Sequence, residues 1–348
     1  MSKYHINKKG EGALCRAKTK CPFGEESDHY PTREEAQKAF EASQSSVPPS
    51  LERNPWSDEE LDKVGAEQEA VIEAHIANGT PLTDEEYEAR REYVRKVNNT
   101  YQSTHKQLTT KVKGKAVYSD ERIAQQDEIV DTLYSRIQAS EVPREGKVLM
   151  TGGMPGSGKS SLLNRLGVDD CAVLNPDDIK VLMAENEMTP NIKGLTPLET
   201  DELIKYEAQL IYAKLYQKVT DDRTNIIVDK TMVRKEPVVK EVSALKEKGY
   251  KDFQVVFAHI TPDQAYDRIV ARHRSGIDDH IAKKGNTLGE RIVPGAAIVA
   301  SRVEDDPTTS KNVGALREMV AMGIFTSAPK VFDTSNPECK ELELSNLP

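Results

Sequence analysis

From Lys147 onward, short apolar runs alternate with stretches of mixed, helix-favouring composition. The runs at 148–152, 172–175, 225–229, 253–260 and 330–333 are rich in Val, Ile, Leu and Phe and too short for buried helices, so they predict strands. Two of the segments between them open in a way that marks a helix start. Thr196-Pro197-Leu198-Glu199 and Thr261-Pro262-Asp263-Gln264 each place a capping hydroxyl, a proline at the first helical position and a Glu or Gln that reaches back. Strands alternating with helices predict an α/β fold with a five-stranded, mostly parallel sheet flanked by helices.

Upstream the pattern is different. Residues 57–140 read as helical, with capping boxes at Ser57-Asp58-Glu59-Glu60 and Thr83-Asp84-Glu85-Glu86 followed by Glu, Ala, Lys, Arg and Gln. A break falls near Gly114, and Ser119 caps a further helix through Ile137. Val130, Leu133, Tyr134 and Ile137 give that helix one apolar face. Residues 43–56, with Ser, Gln and paired prolines, read as a linker. Residues 1–42 read as a small module with a strand at 4–7 and a helix at 36–42, capped by Thr32 with Glu35. The predicted organisation is therefore a module at 1–42, a linker at 43–56, a helical region at 57–140, an α/β domain at 145–335 and a tail at 336–348, with no internal repeat.

Composition narrows the class. The 348 residues exceed one typical domain, and 30% charged against 37% hydrophobic residues predicts a soluble globular chain. No apolar run is long enough to span a bilayer and no leader is recognisable, which makes the cytoplasm the expected compartment. A net charge of −9 argues against broad, sequence-independent nucleic-acid binding. Four cysteines do not suggest a disulfide scaffold. His5, Cys15, Cys21 and His29 offer two imidazoles and two thiolates, a candidate tetrahedral Zn²⁺ set, although Cys15 and Cys21 stand farther apart than usual. A reduced pair in a small capped module is the alternative.

The strongest chemical signal is Gly153-Met154-Pro155-Gly156-Ser157-Gly158-Lys159-Ser160, which fits G-x-x-x-x-G-K-[ST] at every fixed position. It lies between a predicted strand and a helical run opening at Ser161, the context that a phosphate-binding loop requires. Its glycines let backbone N–H groups wrap a phosphate, and the following helix adds its positive end. Lys159 is expected on the β- and γ-phosphates of ATP, and Ser160 on Mg²⁺. One unit later, the next strand ends in Asn175-Pro176-Asp177-Asp178-Ile179-Lys180. In a parallel sheet this acidic pair shares an edge with the phosphate loop, where a carboxylate can take a proton from an attacking hydroxyl. Helix capping by the same aspartates is the competing reading.

Taken with the strand Asn225-Ile226-Ile227-Val228-Asp229-Lys230-Thr231, these motifs resemble the zeta-toxin family of P-loop kinases over residues 145–335. They also resemble the kinase domain of phage polynucleotide kinases. The resemblance implies that Asp177 is the base and that Asp229 and Thr231 belong to the substrate pocket, with Asp178 and Lys180 beside it. Ile179 and Lys180 depart from the aromatic residue and arginine of the family pattern. The helix from Thr261 carries Arg268, Arg272 and Arg274, and Arg291 precedes Ile292-Val293-Pro294. The resemblance implies one phosphate-contacting arginine from each place. Arg291 matches the second, and Arg272 is favoured over Arg274 for the first because it shares a helical face with Arg268. The resemblance further implies a nucleotide-sugar acceptor such as UDP-N-acetylglucosamine, action as a toxin, and an antitoxin in trans or autoinhibition in cis by residues 57–140. A polynucleotide 5′-hydroxyl kinase and a non-catalytic ATP-dependent binding module are the rival functions.

Overall fold

A computed structural model describes residues 4–6, 12–14, 56–303 and 306–347. The chain divides into two compact units, Met1–Pro55 and Trp56–Pro348. In the first, strands β1 (Tyr4–Ile6) and β2 (Gly12–Leu14) pair antiparallel, Tyr4 opposite Leu14. Cys15, Cys21, His29, the side chain of His5 and the predicted 36–42 helix lie outside the described residues.

The second unit opens with α1 (Asp58–Asn78) and α2 (Asp84–Thr100), and both predicted capping boxes form. A short helix α3 (Thr104–Leu108) follows. At the break expected near Gly114 the chain is extended, where the reading of 57–140 as a helical region predicts no strand. Strands β3 (Thr109–Val112) and β4 (Lys115–Tyr118) make an antiparallel hairpin. The reason is local: β-branched Thr109, Thr110, Val112 and Val117 favour strand, and Lys113 and Gly114 both take positive φ, 50° and 78°, as a tight hairpin turn needs. Helix α4 (Asp120–Ala139) completes the region, capped by Ser119.

The remaining elements are β5 (Lys147–Gly152), α5 (Lys159–Leu166), β6 (Ala172–Leu174), α6 (Pro176–Glu185), a 3-10 turn at Pro197–Thr200, α7 (Asp201–Asp221), β7 (Ile226–Asp229), α8 (Lys235–Glu247), β8 (Asp252–His259) and α9 (Pro262–Ala282), then α10 (Gly295–Val299), β9 (Arg302–Val303), β10 (Asp306–Ser310), α11 (Lys311–Ala321), β11 (Lys330–Asp333) and β12 (Lys340–Leu342). The main sheet runs β12-β11-β8-β5-β7-β6. All five predicted strands are present and parallel, but the sheet has six strands, not five. The sixth, β12, comes from the segment read as a tail and pairs antiparallel with β11, Phe332 opposite Glu341. Its charged sequence, Lys-Glu-Leu, has no apolar run to betray it, as suits an edge strand.

The sheet is apolar because helices cover both faces. Val148, Met150, Leu174, Ile226 and Val228 are fully buried. Each such side chain contributes about 1.5–3 kcal/mol of transfer free energy. Residues 56–140 share this interior. Ile129 and Val130 of α4 join the central core, while Leu61, Tyr93 and Val97 pack with Ile192 and Leu203. Ile72, Leu82 and Tyr87 pack with Ile277 and Ile281 of α9. A buried carboxylate pins the same seam: Glu207 of α7 accepts from Arg122 at 2.7 Å, Thr104 at 2.8 Å and Gln126 at 2.8 Å. Among the described residues no helix is long and apolar enough to cross a membrane.

Candidate active site

Parallel pairing of β5, β7 and β6 carries their C-terminal ends to one edge of the sheet. The loop after β5, the start of α6 and Asp229 therefore meet there. Backbone sterics explain the loop. Gly153, Gly156 and Gly158 have φ of 125°, 79° and 80°, a region that side chains disfavour. A Cβ on Gly153 would stand 2.3 Å from the Ala258 carbonyl oxygen, and one on Gly156 2.5 Å from that of Ala265. Thr334 fixes the loop from behind by donating to the Ser157 carbonyl at 2.6 Å. Arg268, on α9, donates to the carbonyls of Thr334 and Ser335. The amides of Lys159, Ser160 and Ser161 open α5 and have no acceptor one turn back within it, which leaves them for an anion.

Lys159 donates to the carbonyls of Gly153 at 3.0 Å and Met154 at 3.2 Å. Its ammonium also lies 3.8 Å from Asp229. Burial lowers the Lys159 pKa, opposed by Asp229 and Asp177 and reinforced by Arg291 and Arg272, so these five groups share one field. Asp229 itself accepts from Thr151 across the β5–β7 pair at 2.5 Å. Thr231 has an exposed side chain, and its carbonyl accepts from the Gly153 amide at 3.4 Å.

The acidic pair is divided. Asn175, not either aspartate, caps α6, its side chain accepting from the Asp177 amide at 3.0 Å. Both carboxylates are thus released from capping. Asp177 forms an ion pair with Arg291 and stands 3.6 Å from the Lys180 ammonium. These three line a cavity of about 240 Å³ with Asp201, Lys205, Gln209 and Val293 among its other walls. Asp178 lines a different cavity, of about 280 Å³, with Leu133, Ile137 and Cys171. Burial, and then the neighbouring Asp177, raise its pKa.

Arg272 lies 3.6 Å from Glu290, and burial followed by repulsion from Arg291 lowers its pKa. Arg274 points elsewhere: it pairs with Asp84 at 2.5 Å and donates to the Leu82 carbonyl at 3.0 Å. The structure therefore brings Lys159, Asp177, Lys180, Asp229, Arg272 and Arg291 together, and leaves Asp178 and Arg274 facing other surroundings. Sequence reasoning missed Asp201. It is buried, takes the Lys180 ammonium at 2.7 Å, and keeps its other oxygen without a partner. Its position at the head of α7, after the Thr196 capping box, reads as helix-start chemistry and hides this contact.

Comparison with known proteins follows the same lines. Among curated proteins none matches the chain. Among solved structures, one of the PezAT chromosomal toxin–antitoxin system of Streptococcus pneumoniae is similar at 13% identity and a TM-score of 0.45, covering 65% of this chain and 82% of that one. The complex of AvrRxo1-ORF1 and -ORF2 with ATP is similar at 12% identity and a TM-score of 0.48, covering 70% and 76%. The zeta toxin family model matches residues 130–303, half of the chain and the whole span of the site from Gly153 to Arg291. The chain belongs to the zeta toxin family.

Proposed function

We propose that this protein is an ATP-dependent kinase that transfers the γ-phosphate to a hydroxyl of a small acceptor, a nucleotide sugar such as UDP-N-acetylglucosamine, and acts as a toxin restrained by an antitoxin. One observation carries the reading. The Asp177 carboxylate and the Arg291 guanidinium meet in a cavity at the same sheet edge as the Lys159 loop. A base, a cation for the migrating group and a phosphate cradle are the parts phosphoryl transfer needs.

The residues fit the nucleotide. The loop from Gly153 to Ser161 presents amides in a path that a Cβ at Gly153 or Gly156 would break by clashing with the Ala258 or Ala265 carbonyl. Ser160 and Asp229 offer hard oxygen donors of the kind Mg²⁺ accepts. Mg²⁺ takes one or two protein ligands and completes its shell with phosphates and water. When bound, the ion neutralises charge on the phosphate oxygens.

The chain's own residues then act as follows. Lys159 exchanges its two loop carbonyls for phosphate oxygens. Asp177 orients the acceptor hydroxyl and takes its proton as the oxygen attacks the γ-phosphorus. The new O–P bond forms as the bond to the β-phosphate oxygen breaks, and ADP leaves. Arg291 and Arg272 neutralise the equatorial oxygens. Lys180, held by Asp201, keeps the Asp177 carboxylate aimed. Incubation with γ-labelled ATP and, in separate arms, UDP-N-acetylglucosamine and a 5′-hydroxyl oligonucleotide tests the reading. Label on the nucleotide sugar, lost in Asp177→Ala, supports it. Label on the oligonucleotide moves the assignment to a polynucleotide kinase, and ATP binding with no transfer to any metabolite or RNA makes the chain a binding module.

A further inference from the structure

A buried carboxylate ties α2 to α9 and to the loop at 286–294 that follows it, which together form the lid. Glu199, wholly buried in the 3-10 turn before α7, is held from three sides. Arg90 of α2, itself 1% exposed, donates to it through Nε at 2.8 Å and Nη2 at 2.5 Å, and to the Gly194 carbonyl at 3.0 Å. His273 of α9 places Nε2 3.3 Å from the same carboxylate. Thr196 donates from its amide and its hydroxyl, each at 2.9 Å. Tyr87, one turn before Arg90, reaches α9 as well. Its hydroxyl lies 2.8 Å from His273 Nδ1 and donates to the Val270 carbonyl at 3.0 Å.

The lid loop joins this seam directly. The Leu198 amide donates to the Leu288 carbonyl at 3.0 Å, and Gly289 sits so close to Thr196 that a Cβ would fall 2.1 Å from its hydroxyl. Arg291 follows two residues later, and Arg272 is the neighbour of His273. An exposed belt repeats the contact: Arg91 donates to the Tyr266 hydroxyl at 2.9 Å, and Arg274 binds Asp84 and the Leu82 carbonyl while lying 5.3 Å from the Tyr87 ring centre.

We propose that α2 is a fixed strut for the lid, with Arg90 and Glu199 as positioning residues that set where Arg272 and Arg291 stand. The upstream helices are then required for phosphoryl transfer and do not inhibit it. This rests on the kinase reading above for its kinetic consequence, and on geometry alone for its structural one. A guanidinium that forks onto a buried carboxylate allows little rotation. Misplacing a phosphate-contacting arginine by about 1 Å costs on the order of 100-fold in rate.

The test uses the full chain and three variants: Arg90→Ala, Arg90→Lys and the exposed Arg274→Ala, which does not threaten the core. Two readouts are taken: kcat and KM for ATP with UDP-N-acetylglucosamine as acceptor, and amide hydrogen exchange over residues 262–294. Arg90→Ala is expected to lower kcat by roughly 100-fold, leave KM for ATP nearly unchanged, and speed exchange at 286–294. Arg90→Lys should recover part of both, and Arg274→Ala should move both the same way by less. A variant that melts earlier but keeps full kcat and normal exchange overturns the proposal, as does any rise in kcat, which would make the helices inhibitory. Should wild type label no nucleotide sugar, the nucleotide-sugar reading fails while the exchange arm still decides the strut. Should Arg90→Ala not fold, Arg274→Ala decides it.

Discussion

Arg291 reaches from the lid loop to close an ion pair on Asp177, 114 positions earlier in the chain. The cation proposed for the migrating phosphate thus rests on the proposed base. It must let go when an acceptor hydroxyl enters, and its fork is then free for phosphate oxygens. Replacing it removes charge from the transition state and leaves the cradle intact. Arg291→Ala is expected to lower kcat by about 10³-fold, with ATP affinity measured by calorimetry little changed. Arg291→Lys should recover little, because a point charge cannot hold two oxygens at once.

The two aspartates at the head of α6 separate cleanly. Asp177 faces the cavity with Arg291 and Lys180, whereas Asp178 faces Leu133, Ile137 and Cys171. Asp177→Asn keeps shape and loses the proton acceptor, so transfer should fall by roughly 10²–10⁴-fold. Asp178→Asn should keep most of the rate, since Arg291 closes its ion pair on Asp177 and not on Asp178. Parallel turnover assays on the pair check this, and equal losses would place both carboxylates in the chemistry.

What the sequence revealed depended on how local each signal is. The phosphate loop, the parallel strands and the capping boxes at Ser57, Thr83 and Thr261 are written within a few neighbouring residues, so they were legible. The β3–β4 hairpin was missed because Lys and Ala dilute its Thr and Val, and β12 because an edge strand needs no apolar face. Arg90 and Glu199 lie 109 positions apart. Each reads alone as a helix-surface charge or a capping residue, and only folding makes them partners. Asp177 was legible as a candidate, but its parting from Asp178 depends on Asn175 taking the cap, which spacing leaves open.

The glycines of the cradle give a prediction about stability and binding together. At Gly153, φ is 125° and an added methyl would lie 2.3 Å from the Ala258 carbonyl oxygen, a backbone atom that cannot swing aside. Gly153→Ala should cost about 1–3 kcal/mol from backbone strain alone and distort the amides that face phosphate. A lower melting temperature and lost ATP stabilisation in thermal shift are both expected. Gly167→Ala is the control: its φ is 61° but no atom lies within 4 Å, so strain acts without a clash and far from the loop.

Acid should loosen the lid seam through Glu199. Burial works to raise its pKa, but Arg90 and the His273 contact outweigh that and hold it down at about 2. An unfolded glutamate titrates near 4.3. With the folded value depressed, the contribution is fully present above about pH 4.3 and is lost as pH falls toward about 2. The difference is on the order of 3 kcal/mol for a buried group with this shift. Urea unfolding at a series of pH values from 7 to 3 measures it. Wild type should lose stability steeply below pH 4. Glu199→Gln should be weaker at pH 7, where Arg90 is left buried without its counter-charge, and should show a shallower acid limb. Parallel acid limbs in the two proteins would mean that other carboxylates, such as Glu86 at the exposed α2 cap, set the acid response instead.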